Sequence, residues 1–525
     1  MKISDTALQL IQASKSSPYF ASIQRGIEKE SLRIDQNGQL ALSPHPQQLG
    51  SALCNSWLTT DFSESLVEFV TPVHSDIDKL IGQLTNLHHY TISNLDNNEI
   101  LWPNSMPGIL PADEKIPLAN YGTSNIGLMK TAYRRGLGHR YGRAMQCVAG
   151  IHYNFSMPVN YWHFEAEHNG IQPTSYKNYI SERYLDLVRN FRRNYWLLFY
   201  LFGASPIADP SFVQGREHNL NVLKTKDLYS PYATSLRMGD LGYQSKAQQS
   251  LFVCYNHLLT YIQTLRSGLK TPYQPYQQYG VEVDGIYQQL STSILQIENE
   301  FYSPIRPKRV TLSGQTPAKA LADEGVEYIE VRCLDLDPNE PNGISKNTVS
   351  FLDVFLLTSL LSDSPECNEK EFKAIAENQS RVVNSGRKPN LTLIDSVDNY
   401  AEKPLKEFAN ALLDQMAIVA KLLDDKGTAT NYSDSILNAR NAVADVSKTP
   451  SAKILSKVQD QNIALTELSL ELAAEHKNKL LATPLDKVEI DKLDLSVIQS
   501  YQKQKEIEQN DEISFAQYLE NYFSQ

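Results

Sequence analysis

The 525-residue sequence contains no Walker G-x-x-x-x-G-K-[ST] segment and no G-x-G-x-x-G run, which excludes a P-loop and a Rossmann-type nucleotide site. Its five cysteines, Cys54, Cys147, Cys254, Cys333 and Cys367, are odd in number, scattered, and lack any C-x-x-C pair. That excludes a disulfide framework or a thiolate zinc site and suits a reducing cytoplasm. Long apolar runs are missing as well. Tyr195 to Ala204 and Phe351 to Leu361 reach about half of a bilayer span, and the N-terminus has no continuous apolar region of the secretory kind. A cytoplasmic protein with no membrane partner is expected. The net charge of -11 argues against a nucleic-acid partner, and there is no internal repeat or low-complexity tract.

A hydrophobic fraction of 41% and a charged fraction of 21% describe an ordinary globular chain. Residues 1–345 mix short β-type runs with helical stretches, the pattern of an α+β catalytic core. After Pro341 amphipathic helices take over. Leu405, Phe408, Leu412, Met416, Val419 and Leu423 recur at helical spacing, and another helical stretch runs from Ser451 to about His476. Residues 346–525 are therefore expected to form a mainly helical part packed on the core as a structural buttress.

The stretch IQRGIEKESLRI, residues 23–34, carries two glutamates one residue apart. As a strand it sends Glu28 and Glu30 to one face and Ile27 to the other. Two like charges repel, so the pair is either solvated or held by a shared cation. Other β-type runs repeat the pattern. In LVEFV (66–70), Val67 and Phe69 oppose Glu68. In GIHYNFS (150–156), Ile151, Tyr153 and Phe155 oppose His152, Asn154 and Ser156. In EYIEVRCL (327–334), Ile329, Val331 and Cys333 oppose Tyr328, Glu330 and Arg332. Half-buried antiparallel strands alternate for structural reasons alone. The other reading is a divalent-metal site on one sheet face. Carboxylates set among large apolar residues are costly unless paired, and carboxylates with one imidazole and no thiolate suit Mg²⁺ or Mn²⁺ rather than structural zinc.

From Lys115 through His163 there is no Asp or Glu, while Lys115, Lys130, Arg134, Arg135, Arg140 and Arg143 all lie there. An acidic chain has concentrated positive charge near its candidate metal residues. A second basic run, Arg306-Pro307-Lys308-Arg309, is either a phosphate contact or a solvated turn.

The segments IQRGIEKESLRI, TTDFSESLVEFVTP, YGTSNIG, GIHYNFSMP, YLFGASP, PYATSLRMGDLGY, ENEFYSPIRPKR and VEYIEVRCLDLDP, in this order and spacing, resemble the bacterial glutamate-cysteine ligase (gamma-glutamylcysteine synthetase) family of the glutamine synthetase-like superfamily. The resemblance is densest over residues 20–345 and weaker beyond, where GRKPNLTL at 386–393 is the clearest match. It implies a curved antiparallel sheet forming a funnel-like active site, packed by helices. It also implies an ATP-dependent ligation of L-cysteine to the gamma-carboxylate of L-glutamate through a gamma-glutamyl phosphate, the first step of glutathione biosynthesis.

Carried over residue by residue, the resemblance places metal ligands at Glu28, Glu30, Asp61, Glu68, His152 and Glu330. The substrate pocket falls on Tyr133, Arg134, Gln146, Asn154, Arg237, Tyr243 and Tyr302, with Arg332 on the nucleotide phosphates. Arg237 and Arg332 are the expected catalytic arginines, because a guanidinium fork suits developing phosphoryl and oxyanion charge. Tyr133, Tyr243 and Tyr302 are expected to wall a thiol pocket. Mg²⁺ or Mn²⁺, ATP, glutamate and cysteine are the implied ligands, with glutathione as feedback inhibitor and a monomer as the expected state. Alternation puts Cys333 opposite Glu330 and Arg332, as a buried apolar residue outside the chemistry. A ligase for another amine, or a metal and amino-acid binder without turnover, would use the same residues. A two-carboxylate glycosidase would leave the basic island unexplained.

Overall fold

A computed structural model describes residues 1–14, 19–96, 98–242, 245, 247–312, 314–425 and 430–525. Seven strands form one open antiparallel sheet: β1 (Gln24–Asp35), β2 (Leu58–Thr60), β3 (Leu66–Val70), β4 (Glu99–Leu101), β5 (Gly150–Ser156), β6 (Ile305–Lys308) and β7 (Tyr328–Asp335). Their order is β6-β7-β5-β1-β3-β2, with β4 also paired to β1. Register decides which side chains meet, since directly opposite residues share a face. Glu28 stands opposite His152, Glu30 opposite Glu68, and Glu330 opposite Asn154. The basic run at 306–309 is strand β6 and its end rather than a turn.

The other face of the sheet is apolar. Ile27, Ile151, Tyr153, Phe155, Ile329 and Val331 are completely buried there, each contributing about 1.5–3 kcal/mol. Helices α1 (Ile77–Asn94), α2 (Asn125–Tyr141), α3 (Tyr176–Asn194), α4 (Lys346–Leu361), α5 (Leu405–Asp424) and α6 (Phe515–Phe523) do most of the work that concerns the site. Asp76 caps α1 by accepting from the Asp78 and Lys79 N–H groups, and Ser345 caps α4 through the Thr348 N–H. From Val349 to Leu361 α4 is buried all round, as a helix in the middle of a large core must be. It packs on α1, α3 and α5.

That core is pinned by a buried charge network. Arg25 of β1 donates through Nε to Asp353 Oδ2 of α4 at 2.7 Å, and Tyr153 of β5 donates to Asp353 Oδ1 at 2.6 Å. Arg25 Nη2 also donates to the Tyr432 hydroxyl at 3.1 Å. One apolar cluster runs from Ile3 to Leu493, so residues on both sides of Pro341 share it.

Two details after Pro341 differ from expectation. The helical stretch from Ser451 is two helices, Pro450–Gln461 and Leu465–Leu481, because Asn462 adopts the left-handed conformation (φ 52°) and ends the first. A short antiparallel hairpin, Thr392–Asp395 with Ala401–Pro404, interrupts the helices. Among the described residues no helix is long and apolar enough to cross a membrane.

Candidate active site

The polar face of the sheet is one wall of a cavity of about 390 Å³. The long helix α2 lines it too, through Met129, Tyr133, Leu137 and Tyr141 at four-residue spacing, with Lys130 and Arg134 beside them. At the sheet, one ligand atom each from Glu28, His152 and Glu330 lie within 4.8 Å of one another. His152 Nδ1 is 3.2 Å from Glu28 Oε2 and 3.8 Å from Glu330 Oε1, while its Nε2 is 3.7 Å from Glu30 Oε1. Glu330 Oε2 is buried without a hydrogen-bond partner. Oxygen donors with one imidazole, and an unsatisfied inward carboxylate oxygen, fit a hard divalent cation.

The carboxyls titrate in opposite directions. Burial pushes Glu28 up, but the hydrogen bond with His152 and the charges of His152 and Lys308 outweigh it and the repulsion from Glu330, leaving Glu28 below its ordinary value. Burial also opposes ionisation of Glu330, yet Lys308, Arg332, His152 and Arg306 hold it well below the usual carboxylate range. Glu30 is raised by burial and by Asp61, against His152, Arg237 and the Gly150 N–H. Glu68 is raised well above its ordinary value by burial and then by Glu28, Asp61 and Glu30, with Arg134 opposing.

A raised folded-state value means that the stability contributed by Glu68 is present below about 4.5 and lost as pH rises through the raised value. Ionised Glu68 therefore weighs against folding at neutral pH. Thermal melts of metal-free Glu68→Gln at pH 8 are expected to give a Tm higher than wild type by about 2 °C, the size of a ~1 kcal/mol relief in a domain of a few hundred residues. The gap should close as pH falls toward 4.5, and turnover should drop.

The arginines sit against this acid floor. Arg332 Nη1 donates to Glu330 Oε1 at 3.1 Å, and Lys308 Nζ lies 3.6 Å from Glu330 Oε2. Strand β7 does not keep its alternation here. Val331 faces Tyr153 but Leu334 faces Ile151, so Arg332 and Cys333 together stand opposite His152 in a β-bulge. Arg237 spans the bulge, with Nη2 donating to the Arg332 carbonyl and Nη1 to the Leu334 carbonyl, both at 3.3 Å. A side chain at Gly150 would place its Cβ 1.9 Å from Arg237 Nη2, so glycine lets the guanidinium pass. Cys333 is a buried neutral thiol, pushed up to about 12 by burial, but Arg237 and Asp335 are its charged neighbours. The bulge interrupts strict alternation, yet Cys333 lies in the apolar core and off the cavity wall that Arg332 lines, as expected.

All six expected metal residues, Glu28, Glu30, Asp61, Glu68, His152 and Glu330, line the cavity, with Glu28, His152 and Glu330 in the tight group. Of the expected substrate residues, Tyr133, Arg134, Gln146, Arg237 and Tyr302 line it, as does Arg332. Tyr243 lies outside the described residues. Asn154 is not on the cavity wall. Its Nδ2 donates to Glu28 Oε1 at 2.9 Å, so it orients the acid.

The basic island is mostly structural. Arg140 pairs with Glu300 at 3.0 Å, Arg143 donates to the carbonyls of Glu114 and Ile116, and Arg135 to that of Tyr287. Lys130 and Arg134 are its members on the wall, stacked over the Tyr121 ring at 5.1 and 4.5 Å. Tyr121 in turn donates to the carbonyls of Thr60 and Asp61, which fixes the turn that carries Asp61. Sequence reasoning missed Glu300, Gln248 and Tyr522 on the wall. The four-residue stripe along α2 is the signal that could have revealed this side of the cavity.

Carboxylates, an imidazole and arginines gathered on one sheet face around a cavity of this size define an enzyme pocket for small anionic substrates. The profile of the glutamate-cysteine ligase family matches residues 8–382. The glutamate-cysteine ligase of Saccharophagus degradans is 46% identical over 516 residues, covering 98% of this chain and 96% of its own. That of Alcanivorax borkumensis is 44% identical over 528 residues, the whole of both chains. A crystal structure of glutamate-cysteine ligase from Francisella tularensis in complex with AMP superposes with a TM-score of 0.90 at 38% identity, covering 96% of this chain and 98% of that one. The chain belongs to the glutamate-cysteine ligase family.

Proposed function

We propose that the protein joins L-cysteine to the gamma-carboxylate of L-glutamate at the expense of ATP, giving gamma-glutamylcysteine, ADP and phosphate, as the first step of glutathione synthesis. The observation that carries the reading is the Glu28, His152 and Glu330 group with Arg332 and Lys308 against it in one cavity. The AMP in the Francisella tularensis structure supports an adenine nucleotide as ligand.

Amide formation from a carboxylate needs that carboxylate activated, here by transfer of the ATP gamma-phosphoryl group to give gamma-glutamyl phosphate, which the cysteine amine then opens. Mg²⁺ or Mn²⁺ held by Glu28, His152 and Glu330, with Glu30, Asp61 and Glu68 beside them, would supply the charge that lets two anions approach. Arg332 presents its fork to the phosphoryl oxygens, and Lys308 adds a point charge from β6. Arg237 holds the bulge that aims Arg332 and offers its own edge to the cavity. Arg134 and Gln146 orient glutamate, and Tyr133 and Tyr302, with Tyr243, wall the cysteine side chain. The reading makes residues 1–345 the catalytic core and 346–525 the helical part packed on it. It also carries a cytoplasmic monomer and feedback by glutathione, whose gamma-glutamyl group matches the substrate.

Phosphate release measured with ATP and Mg²⁺, omitting each amino acid in turn, tests the proposal. Full release should need both glutamate and cysteine, and release indifferent to cysteine would overturn it. For Arg332→Lys, kcat is expected to fall by about 10²-fold, with a much smaller change in the KM for ATP, because lysine cannot make the bidentate contact. A loss confined to the KM for cysteine would remove Arg332 from the phosphoryl group.

A further inference from the structure

An open groove of about 500 Å³ lies between α1, the loop that leads from β7 into α4, and the facing ends of helices Leu465–Leu481 and Lys487–Gln509. It shares no described residue with the catalytic cavity. Its loop packs behind β1, where a Cβ at Gly343 would stand 3.1 Å from Cε of Lys29, the residue that alternates with Glu28 and Glu30. Ile81, Ile344, Leu480 and Leu485 make the groove wall apolar. Several of its charges are matched. Lys346 pairs with Asp78, Glu489 with Lys492 at 2.6 Å, and Asp486 accepts from the Val488 N–H as a helix cap. Asn342, Glu340 and Lys479 are not. Asn342 is 9% exposed, and its Nδ2 donates to the Thr85 hydroxyl at 2.8 Å. That hydroxyl gives its own hydrogen to the Ile81 carbonyl at 2.9 Å, so it can only accept from the amide, and the amide cannot turn round. Asn342 Oδ1 is left buried without a hydrogen-bond partner, a costly state for an acceptor. Two residues earlier, the half-buried Glu340 carboxyl is raised by burial and by Asp337, against Lys479 and Lys453. Among the described residues neither that carboxyl nor the Lys479 ammonium makes a hydrogen bond or ion pair, and both line the groove.

We infer that this groove is a second binding site, separate from the catalytic cavity, for an α-amino acid with an aliphatic side chain. Two acceptors, Asn342 Oδ1 and the Glu340 carboxylate, stand two residues apart on one loop and call for a donor-rich cation, which an ammonium group supplies. Lys479, whose charge acts on Glu340, offers a carboxylate its partner from the other side of the groove. An ammonium with a carboxylate on the same carbon is the head of an α-amino acid, and the apolar wall gives its side chain a bed. Phosphate or another anion would meet Glu340 and Asn342 Oδ1 with like polarity. A plain amine would leave Lys479 unmatched.

The test is calorimetric titration of the intact protein with L-leucine, with L-glutamate and L-cysteine present in excess and ATP left out, so that the catalytic cavity is filled. L-leucine should bind. Isopentylamine, which lacks the carboxylate, and isocaproate, which lacks the ammonium, should each bind at least about tenfold more weakly, the usual worth of hydrogen bonds to a charged group. Glu340→Gln and Lys479→Met should each weaken L-leucine by a similar factor, while turnover with ATP, glutamate and cysteine stays at the wild-type rate. Lys479 is exposed, so Lys479→Met decides the matter alone where Glu340→Gln does not fold. No binding of L-leucine at millimolar concentration overturns the inference, as does binding unchanged in the folded variants. Isopentylamine or isocaproate binding as tightly as L-leucine overturns it too, since one half of the head would then be idle. So does L-leucine binding that weakens in proportion to added L-cysteine, which would put the ligand in the catalytic cavity.

Discussion

Replacing Glu330 by glutamine is expected to lower kcat/KM by about 10³-fold or more while the protein stays folded. The substitution keeps size and hydrogen-bonding capacity and removes one charge. That charge is held ionised at any working pH by Lys308, Arg332, His152 and Arg306, and its Oε2 is a buried carboxylate oxygen with no hydrogen-bond partner. Loss of a metal ligand forfeits several kcal/mol of charge stabilisation, and each 1.36 kcal/mol is about tenfold in rate. The cations around it would be left without their counter-charge, so Mg²⁺ titrated by calorimetry should bind more weakly in step with the rate. Glu28→Gln should move in the same direction, because Glu28 shares His152 with Glu330. Near-normal turnover of both variants at ordinary Mg²⁺ would remove the acid group from the chemistry, provided far-ultraviolet circular dichroism and a cooperative melt show native folding.

The largest effect on stability is expected from Asp353→Ala. Arg25 and Asp353 are 1% and 0% exposed, and Asp353 also accepts from Tyr153. Removing one partner of a buried pair leaves the other charge unpaired, at a cost of about 3–5 kcal/mol. Arg25 would keep only the carbonyls of Ile23 and Ser75 and the Tyr432 hydroxyl. Urea titration should show the midpoint falling accordingly with little change in slope. Filling both positions with apolar residues, as in Arg25→Met with Asp353→Leu, should recover most of the loss. A single-variant loss below about 1 kcal/mol would mean that the network contributes little.

What could be read from the sequence was what depends on neighbours in the chain. Alternation in β1, β3, β5 and β7 needs only a period of two, and it placed Glu28, Glu30, Glu68, His152 and Glu330 on one face, as the registers now show. The bulge at Arg332 and Cys333 was hidden because an extra residue exists only relative to the partner strand. Arg25, Lys29 and Arg33 were also opaque. Arg25 and Lys29 point to helices α4 and α1 and Arg33 to strand β4, and their partners Asp353, His88 and Glu99 lie 328, 59 and 66 residues away. Lys29 is pushed down to about 7 by burial against His88, a situation no local pattern announces. The basic island misled for the same reason, since Arg140 is spent on Glu300, 160 residues away. Helical periodicity gave the buttressing faces of the C-terminal helices, but it could not show that α6 turns Tyr522 onto the catalytic cavity.

The step at the centre of the mechanism is transfer of phosphate to the glutamate side chain before the amide forms, and oxygen tracing reads it directly. Glutamate labelled with ¹⁸O on both gamma-carboxylate oxygens is turned over with ATP, Mg²⁺ and cysteine, and the released phosphate is weighed by mass spectrometry. Activation as gamma-glutamyl phosphate leaves one labelled oxygen bridging carbon and phosphorus, and the amine expels it with the phosphate. Each phosphate should therefore carry one ¹⁸O, while the new amide keeps the other. Phosphate released in step with gamma-glutamylcysteine but free of label would contradict an acyl phosphate at this site.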